Sequence, residues 1–348
     1  MPIDCVPLIR EIGRGAHGAR DLDRDRMREL FAAMLDGEVA DLELGAILVA
    51  MRIKGESLAE MLGCLDALAP RVARFASPGD RSRPVVLASY NGARRGANLT
   101  PLVALLLARY GVPVLVHGLA GAGALDVADG DDEASDGAGY GRVTSARILR
   151  ELGIPPSPTV IDAEARLKRS GVAYVPTSVL SPGLARLLAT RERIGLRSSA
   201  HTLVKLVDPF GGRAVRVVSV SHPDYLARMR EVLAATRADA MLLRGTEGEP
   251  FANPKRCPPI EVFLQGEVAR CVDGEEGAIE ALPALPASSD AEATAEWIDA
   301  ALAGSQAVPA PIVQQLGCLL EAARAPAAWP QGAEPRDVPS RGQSAASE

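Results

Sequence analysis

Pro84-Val-Val-Leu-Ala-Ser-Tyr-Asn-Gly-Ala-Arg-Arg-Gly-Ala-Asn-Leu-Thr-Pro101 reads as an apolar strand, a glycine-bearing turn and the start of a helix. Pro84 to Ala88 is a short apolar run, the pattern of a strand covered on both faces. Thr100 has the chemistry of a helix cap, Pro101 suits the first helical position, and the apolar pattern continues through Leu107. A strand that turns directly into a helix brings backbone N–H groups and a helix N-terminus to one spot, which favours anions. Arg94 and Arg95 add two side-chain charges at the same mouth.

The same alternation continues down the chain. Val112 to Val116 is expected as a strand, then Ala214 to Val220 as strand, Pro223 to Ala235 as helix and Ala240 to Leu243 as strand. Strands alternating with helices specify an α/β fold with a largely parallel sheet flanked by helices. Residues 5 to about 75 read differently. Met27, Leu30, Phe31, Met34 and Leu35 follow one helical face that Gly37 can close. Leu44, Ile47, Leu48 and Met51 repeat that pattern, with Asp41 placed to cap and Gly55 to stop. Ser57 and Glu60 form a capping box that opens a third helix.

The expected organisation is therefore a small all-helical domain over 1–75, a larger α/β domain over 76–325 and a disordered tail over 326–348. Gly121 to Gly141 is expected to be a mobile insertion. The helical domain carries more apolar positions, on Met27, Leu30 and Phe31 and on Leu44, Ile47 and Met51, than three helices easily hide; a symmetric homodimer is expected.

Composition narrows the class. The 348 residues are 47% hydrophobic, yet they contain no apolar run long enough to span a bilayer. The N-terminus lacks the basic start and apolar core of a secretory signal. The 5 cysteines are scattered, as expected of reduced thiols in a cytoplasmic protein. His117, His201 and His222 lack metal-ligand spacing, so no zinc site is expected; His222 reads as a helix-start residue and His201 as facing a groove.

The net charge of −6 hides strong segregation. No Lys or Arg occurs between Arg270 and Arg324, and the block Asp126 to Asp136 is purely acidic in its charges. From Arg186 to Arg216, by contrast, seven bases face only Glu192 and Asp208. Such a chain can present a cationic face despite its acidic balance.

Several motifs carry a resemblance: Glu11-Ile-Gly-Arg-Gly15, Ala19-Arg-Asp-Leu-Asp-Arg-Asp25, Ser89-Tyr-Asn-Gly-Ala-Arg94, Ser199-Ala-His-Thr-Leu203, Ser221-His-Pro223, and Gly245-Thr-Glu-Gly-Glu249 with Ala252-Asn-Pro254. Together they resemble the anthranilate phosphoribosyltransferase family (glycosyltransferase family 3), and within it the YbiB-like branch. The resemblance implies a phosphoribosyltransferase-like fold, a dimer made by the helical domain, and a nucleic-acid-binding activity.

The departures from the parent enzymes concern the donor site. The family cradles the pyrophosphate of phosphoribosyl pyrophosphate on a Gly-Thr-Gly-Gly-Asp loop; here the run is Ser89-Tyr90-Asn91-Gly92-Ala93. The family's Lys-His-Gly-Asn segment corresponds to Val116-His117-Gly118-Leu119. Its Asp-Glu pair for magnesium falls near Glu247-Gly248-Glu249-Pro250, where no adjacent carboxylates remain.

The resulting expectation is a sequence-indifferent binder of DNA or RNA with a degenerate donor site, no catalytic residues and no cofactor. The alternative is an active phosphoribosyltransferase using Mg2+ and phosphoribosyl pyrophosphate with an aromatic acceptor. Candidate nucleic-acid contacts are Arg94, Arg95, Arg191, Arg193, Arg197, Lys205, Lys255 and Arg256. Arg197 also corresponds to the family's anthranilate-contacting arginine. The phosphate-friendly loop comprises Tyr90, Asn91, Gly92, Asn98 and Thr100, with Tyr90 placed to stack on a base. Aromatic residues make up only 3% of the chain, so affinity should come from phosphate contacts.

Overall fold

The computed structural model describes residues 3–15, 17–78, 82–119, 141–221, 223–277, 279 and 283–323. The expected insertion, the C-terminal tail and His222 lie outside them. Over the described residues the chain forms two compact units. One comprises 3–73 with 177–207; the other comprises 74–119, 141–176 and 208–323, in each case as far as residues are described. The expected boundary at residue 75 falls beside Ala73. The helical unit, however, also takes Thr177–Val207, which the sequence pattern placed in the second domain. That correction moves Arg191, Arg193, Arg197 and Lys205 into the helical unit.

The helical unit begins with α1 (Cys5–Ile12), α2 (Arg24–Asp36), α3 (Asp41–Lys54) and α4 (Leu58–Leu68). Asp23 caps α2 by accepting from Arg26 N, and Gly37 ends it at φ 79°, a conformation that glycine adopts without strain. The capping box of α4 is present. Its Glu60 is fully buried and accepts from Leu22 N at 3.0 Å, from Ser57 N at 2.8 Å and from Lys54 Nζ at 2.6 Å. A Cβ on Gly63 would lie 2.4 Å from the Arg24 carbonyl oxygen, so α2 and α4 pack closely because that position is bare.

Asp41 does not cap α3; Ala40 holds the cap position without a side-chain bond, and Asp41 stands in the first turn. There the positive end of the helix favours a carboxylate without a capping bond. Met27, Leu30 and Phe31 are buried within this unit, so these three offer no apolar surface to a second copy. The exposed apolar stripe lies on α3, where Leu42 is 82% and Ile53 68% exposed. Gly45, Ala46 and Val49 line a groove of about 640 Å³ between those two residues, bordered by Ile9 and Ile12 of α1.

The second unit is built on a seven-stranded sheet ordered β3-β2-β1-β4-β5-β6-β7. The strands are β1 (Val85–Ser89), β2 (Val114–Gly118), β3 (Val172–Pro176), β4 (Val215–Val220), β5 (Ala240–Arg244), β6 (Ile260–Leu264) and β7 (Glu267–Val272). The first five are mutually parallel, and β6 and β7 add an antiparallel hairpin. β1, β2 and β3 are buried along their whole length, as a sheet covered on both faces requires.

From β1 the chain steps outward to β2 and β3, then returns to the other side of β1 as β4. That reversal puts a topological switch point at the carboxyl end of β1, the usual ligand position in such sheets. Helix α5 (Thr100–Arg109) starts there. Leu99 rather than Thr100 stands at its cap position, and the Asn98 side chain accepts from Thr100 N at 3.1 Å. Thr100 is already inside the helix, with its hydroxyl directed elsewhere. No helix among the described residues is long and apolar enough to cross a membrane.

Candidate functional site

Each backbone N–H of residues 91–96 has a partner within the chain. Asn91 N and Gly92 N donate to Glu249 Oε1 at 2.9 and 2.8 Å. Ala93 N donates to the Val143 carbonyl at 3.1 Å. Arg94 N reaches Glu247 Oε2 at 2.9 Å, while Arg95 N and Gly96 N share Glu247 Oε1 at 2.9 and 3.1 Å. A loop with anion-binding geometry is thus saturated by its own chain, two carboxylates taking five of the six N–H groups and the Val143 carbonyl the sixth.

Both carboxylates come from the turn after β5. Thr246 and Glu249 bridge across it. Glu247 at φ 53° and Gly248 at φ 85° supply the two successive left-handed residues of a type I′ turn. The turn is fastened to the loop by Asn91 Nδ2 donating to the Glu247 carbonyl, and to β4 by Ser219 Oγ donating to the Gly248 carbonyl.

Glu249 is fully buried. Its second oxygen accepts from Ser89 Oγ, from Asn98 Nδ2 at 3.1 Å and from Thr100 Oγ1 at 3.4 Å. Burial holds its carboxyl above the usual carboxylate range, and the hydrogen bonds from Ser89, Gly92, Asn91 and Asn98 pull the other way. Asn91, Gly92, Asn98 and Thr100 are therefore brought together as expected of one loop, but around Glu249.

A magnesium ion does not fit these carboxylates. The oxygens of Glu249 face N–H and O–H donors, those of Glu247 face N–H donors, and among the described residues no group of three acids, histidines or cysteines could hold a metal. Motif reading met Glu247 and Glu249 only as the place of the family's magnesium pair and did not assign them to the loop. The signal was available as a donor count: a loop with this many N–H groups needs acceptors, and two glutamates flank one glycine downstream.

Tyr90 corrects an expectation. It is 4% exposed and belongs to the core, so its ring is not offered to a base. It directly follows β1, where the strand is still covered. Arg95 is exposed and Arg94 half-buried; Lys255 and Arg256 are exposed beyond the 245–252 segment, with Arg256 Nη2 donating to the Gly277 carbonyl at 2.5 Å.

In the helical unit Arg193 is exposed and reaches Asp41 at 2.8 Å, with both side chains 75% exposed. Such pairs contribute little to stability. Arg191, Arg197 and Lys205 are half-buried. They surround His201, which is buried, not groove-facing; it accepts from Ser198 N at 3.2 Å. Burial, then Arg197, Arg191 and Lys205, push its pKa down to about 3. His117 on β2 is likewise buried, with neither ring nitrogen hydrogen-bonded, and burial alone lowers its pKa to about 4.

Residues 6–71 match the glycosyl transferase family helical bundle domain. The chain is 42% identical to the uncharacterized protein YbiB of Escherichia coli over 92% of its own length and 94% of that protein. It is 26% identical to an anthranilate phosphoribosyltransferase of Methanosphaerula palustris over 73% of this chain and 70% of that one. The crystal structure of anthranilate phosphoribosyltransferase from Thermus thermophilus superposes with a TM-score of 0.68 at 22% identity, covering 92% of this chain and 89% of that one. On the extent of these matches, the chain belongs to glycosyl transferase family 3, with the anthranilate phosphoribosyltransferase-like fold.

Proposed function

We propose that this protein is a sequence-indifferent nucleic-acid-binding member of its family, in which the donor site has been given up. The observation that carries the reading is that Glu247 and Glu249 take five of the six N–H groups of the 91–96 loop. A pyrophosphate needs the same N–H groups, and the carboxylates that would carry its magnesium are spent on them. The cations at the surface are Arg95, Lys255 and Arg256 in one unit and Arg193 in the other, where Arg191, Arg197 and Lys205 are half-buried. Side chains of this kind bind phosphates without reading bases. Cytoplasmic placement, where nucleic acid is accessible, belongs to the same proposal.

A homodimer completes it. The stripe Leu42, Gly45, Ala46, Val49 and Ile53 repeats at helical spacing, and its small central residues let a second α3 approach closely. Light scattering should return twice the 36.4 kDa chain mass, and Leu42→Asp with Ile53→Asp should return the single mass.

Fluorescence anisotropy with single- and double-stranded oligonucleotides of unrelated sequence tests the main reading. Binding that is tight at low salt and alike across sequences supports it. Magnesium-dependent formation of phosphoribosyl-anthranilate, with no oligonucleotide binding, would establish the enzyme reading that the named relatives suggest.

A further inference from the structure

We infer that Glu247 is an internal stand-in for a phosphate-class anion, so that Arg94 N, Arg95 N and Gly96 N form a latent anion site closed by this one side chain. The inference goes beyond nucleic-acid binding and stands whether or not that occurs. Three consecutive N–H groups converge on the two Glu247 oxygens at 2.9, 2.9 and 3.1 Å. Successive amides turned toward one point form a concavity that selects anions by geometry and charge together. Arg142 adds to the field, with Nη1 3.9 Å from Glu247 Oε2.

The two glutamates of the turn differ in how they could leave. Glu249 is sealed in the core and holds together Ser89, Asn98 and Thr100. The Glu247 side chain stands at the rim, 18% exposed, and its carboxylate engages the loop amides and lies beside Arg142. The Glu247 backbone sits at φ 53°, a conformation uncommon for a residue with a side chain. Meanwhile the main chain of the turn is pinned independently, through the Glu247 and Gly248 carbonyls and through Glu249. Removing the Glu247 carboxylate should therefore leave the turn in place and three amides facing solvent. A tetrahedral phosphate oxyanion carries more charge than the carboxylate it would replace and offers more acceptor oxygens to the same donors.

An internal competitor lowers apparent affinity by the fraction of time the site is open. The test is titration calorimetry of the full chain with inorganic pyrophosphate, without metal, for the parent, Glu247→Ala and Glu247→Gln. The glutamine variant keeps the bulk of the turn residue if alanine unfolds the protein. Amide NMR at Gly96 locates the bound anion, separating this site from the basic segment of the helical unit. The expected result is at least about tenfold tighter binding in a variant than in the parent, with a shifted Gly96 amide. Equal affinity in parent and variants, tighter binding that leaves Gly96 unmoved, or variants that neither fold nor bind would overturn the inference. Loss of the nucleic-acid reading shows in a different experiment, oligonucleotide binding by the parent.

Discussion

The 91–96 loop and the 191–205 segment are both anion-friendly on paper, and they are built from opposite materials. In the loop the positive character lies in backbone N–H groups, fixed in place and already paired with Glu247 and Glu249. In the segment it lies in long side chains at or near the surface, where Arg193 is three-quarters exposed. Backbone donors cannot be left unpaired when covered, so a chain that stops using them for a ligand must fill them from within. Side-chain cations carry no such obligation, because water serves them when no ligand does. The difference teaches that a loop of backbone donors is committed to structure once its own chain fills it, whereas an exposed cation such as Arg193 needs no such filling.

The largest expected effect breaks the loop half of that contrast. Glu249→Ala would strand donors on Ser89, Asn91, Gly92, Asn98 and Thr100 in a closed interior, and should cost about 3 kcal/mol or more in urea unfolding. Glu249→Gln keeps one acceptor oxygen and should cost less than about 2 kcal/mol. If alanine were tolerated like glutamine, the carboxylate would not be what holds the loop.

Next comes His117, buried beneath the same end of the sheet. Its pKa of about 4 in the folded chain lies below the 6.5 of an unfolded histidine. The unfolded state therefore takes up a proton first, and stability present above pH 6.5 is lost as pH falls toward 4. Between pH 7 and pH 5 the share of the loss due to His117 should be about 2 kcal/mol. His117→Leu should remove that share and make the profile shallower, leaving the similar share of buried His201 in place, as denaturant unfolding at the two pH values would show.

How far the sequence alone leads follows the same division. The periodic helix α2 with its Gly37 end, α4 with its capping box, and strands β1, β2, β4 and β5 were legible to within a residue or two, because buried apolar runs and capping chemistry are local. β3, β6 and β7 carried no assignment, and neither did the return of Thr177–Val207 to the helical unit, since pairing and packing across long separations leave no local mark. The loop was legible as anion-friendly, but its occupant was not. Glu247 and Glu249 lie some distance downstream in sequence, and only the fold brings their turn against the loop. Tyr90 misled for a related reason: adjacency to two arginines says nothing about the direction of a side chain at the end of a covered strand.

A smaller effect compares the two cationic groups directly. Replacing Arg191 and Arg197 with glutamate, or Arg94 and Arg95, should weaken binding to every oligonucleotide alike. Each lost phosphate contact should flatten the salt dependence by about 0.7 on single strands and about 0.9 on duplex. Stability should move by only about half a kcal/mol for each exposed position such as Arg95. Either pair that leaves affinity and slope untouched does not belong to the interface.

The most direct measurement is the salt titration of oligonucleotide affinity for the unmodified protein, with phosphoribosyl transfer to anthranilate assayed on the same preparation. The account predicts a log affinity that falls linearly with log salt, by about 0.7 for each phosphate contacted on a single strand, alike for unrelated sequences, and no transfer above the uncatalysed rate. Transfer that requires magnesium, from a protein that fails to bind oligonucleotides even at low salt, would contradict it.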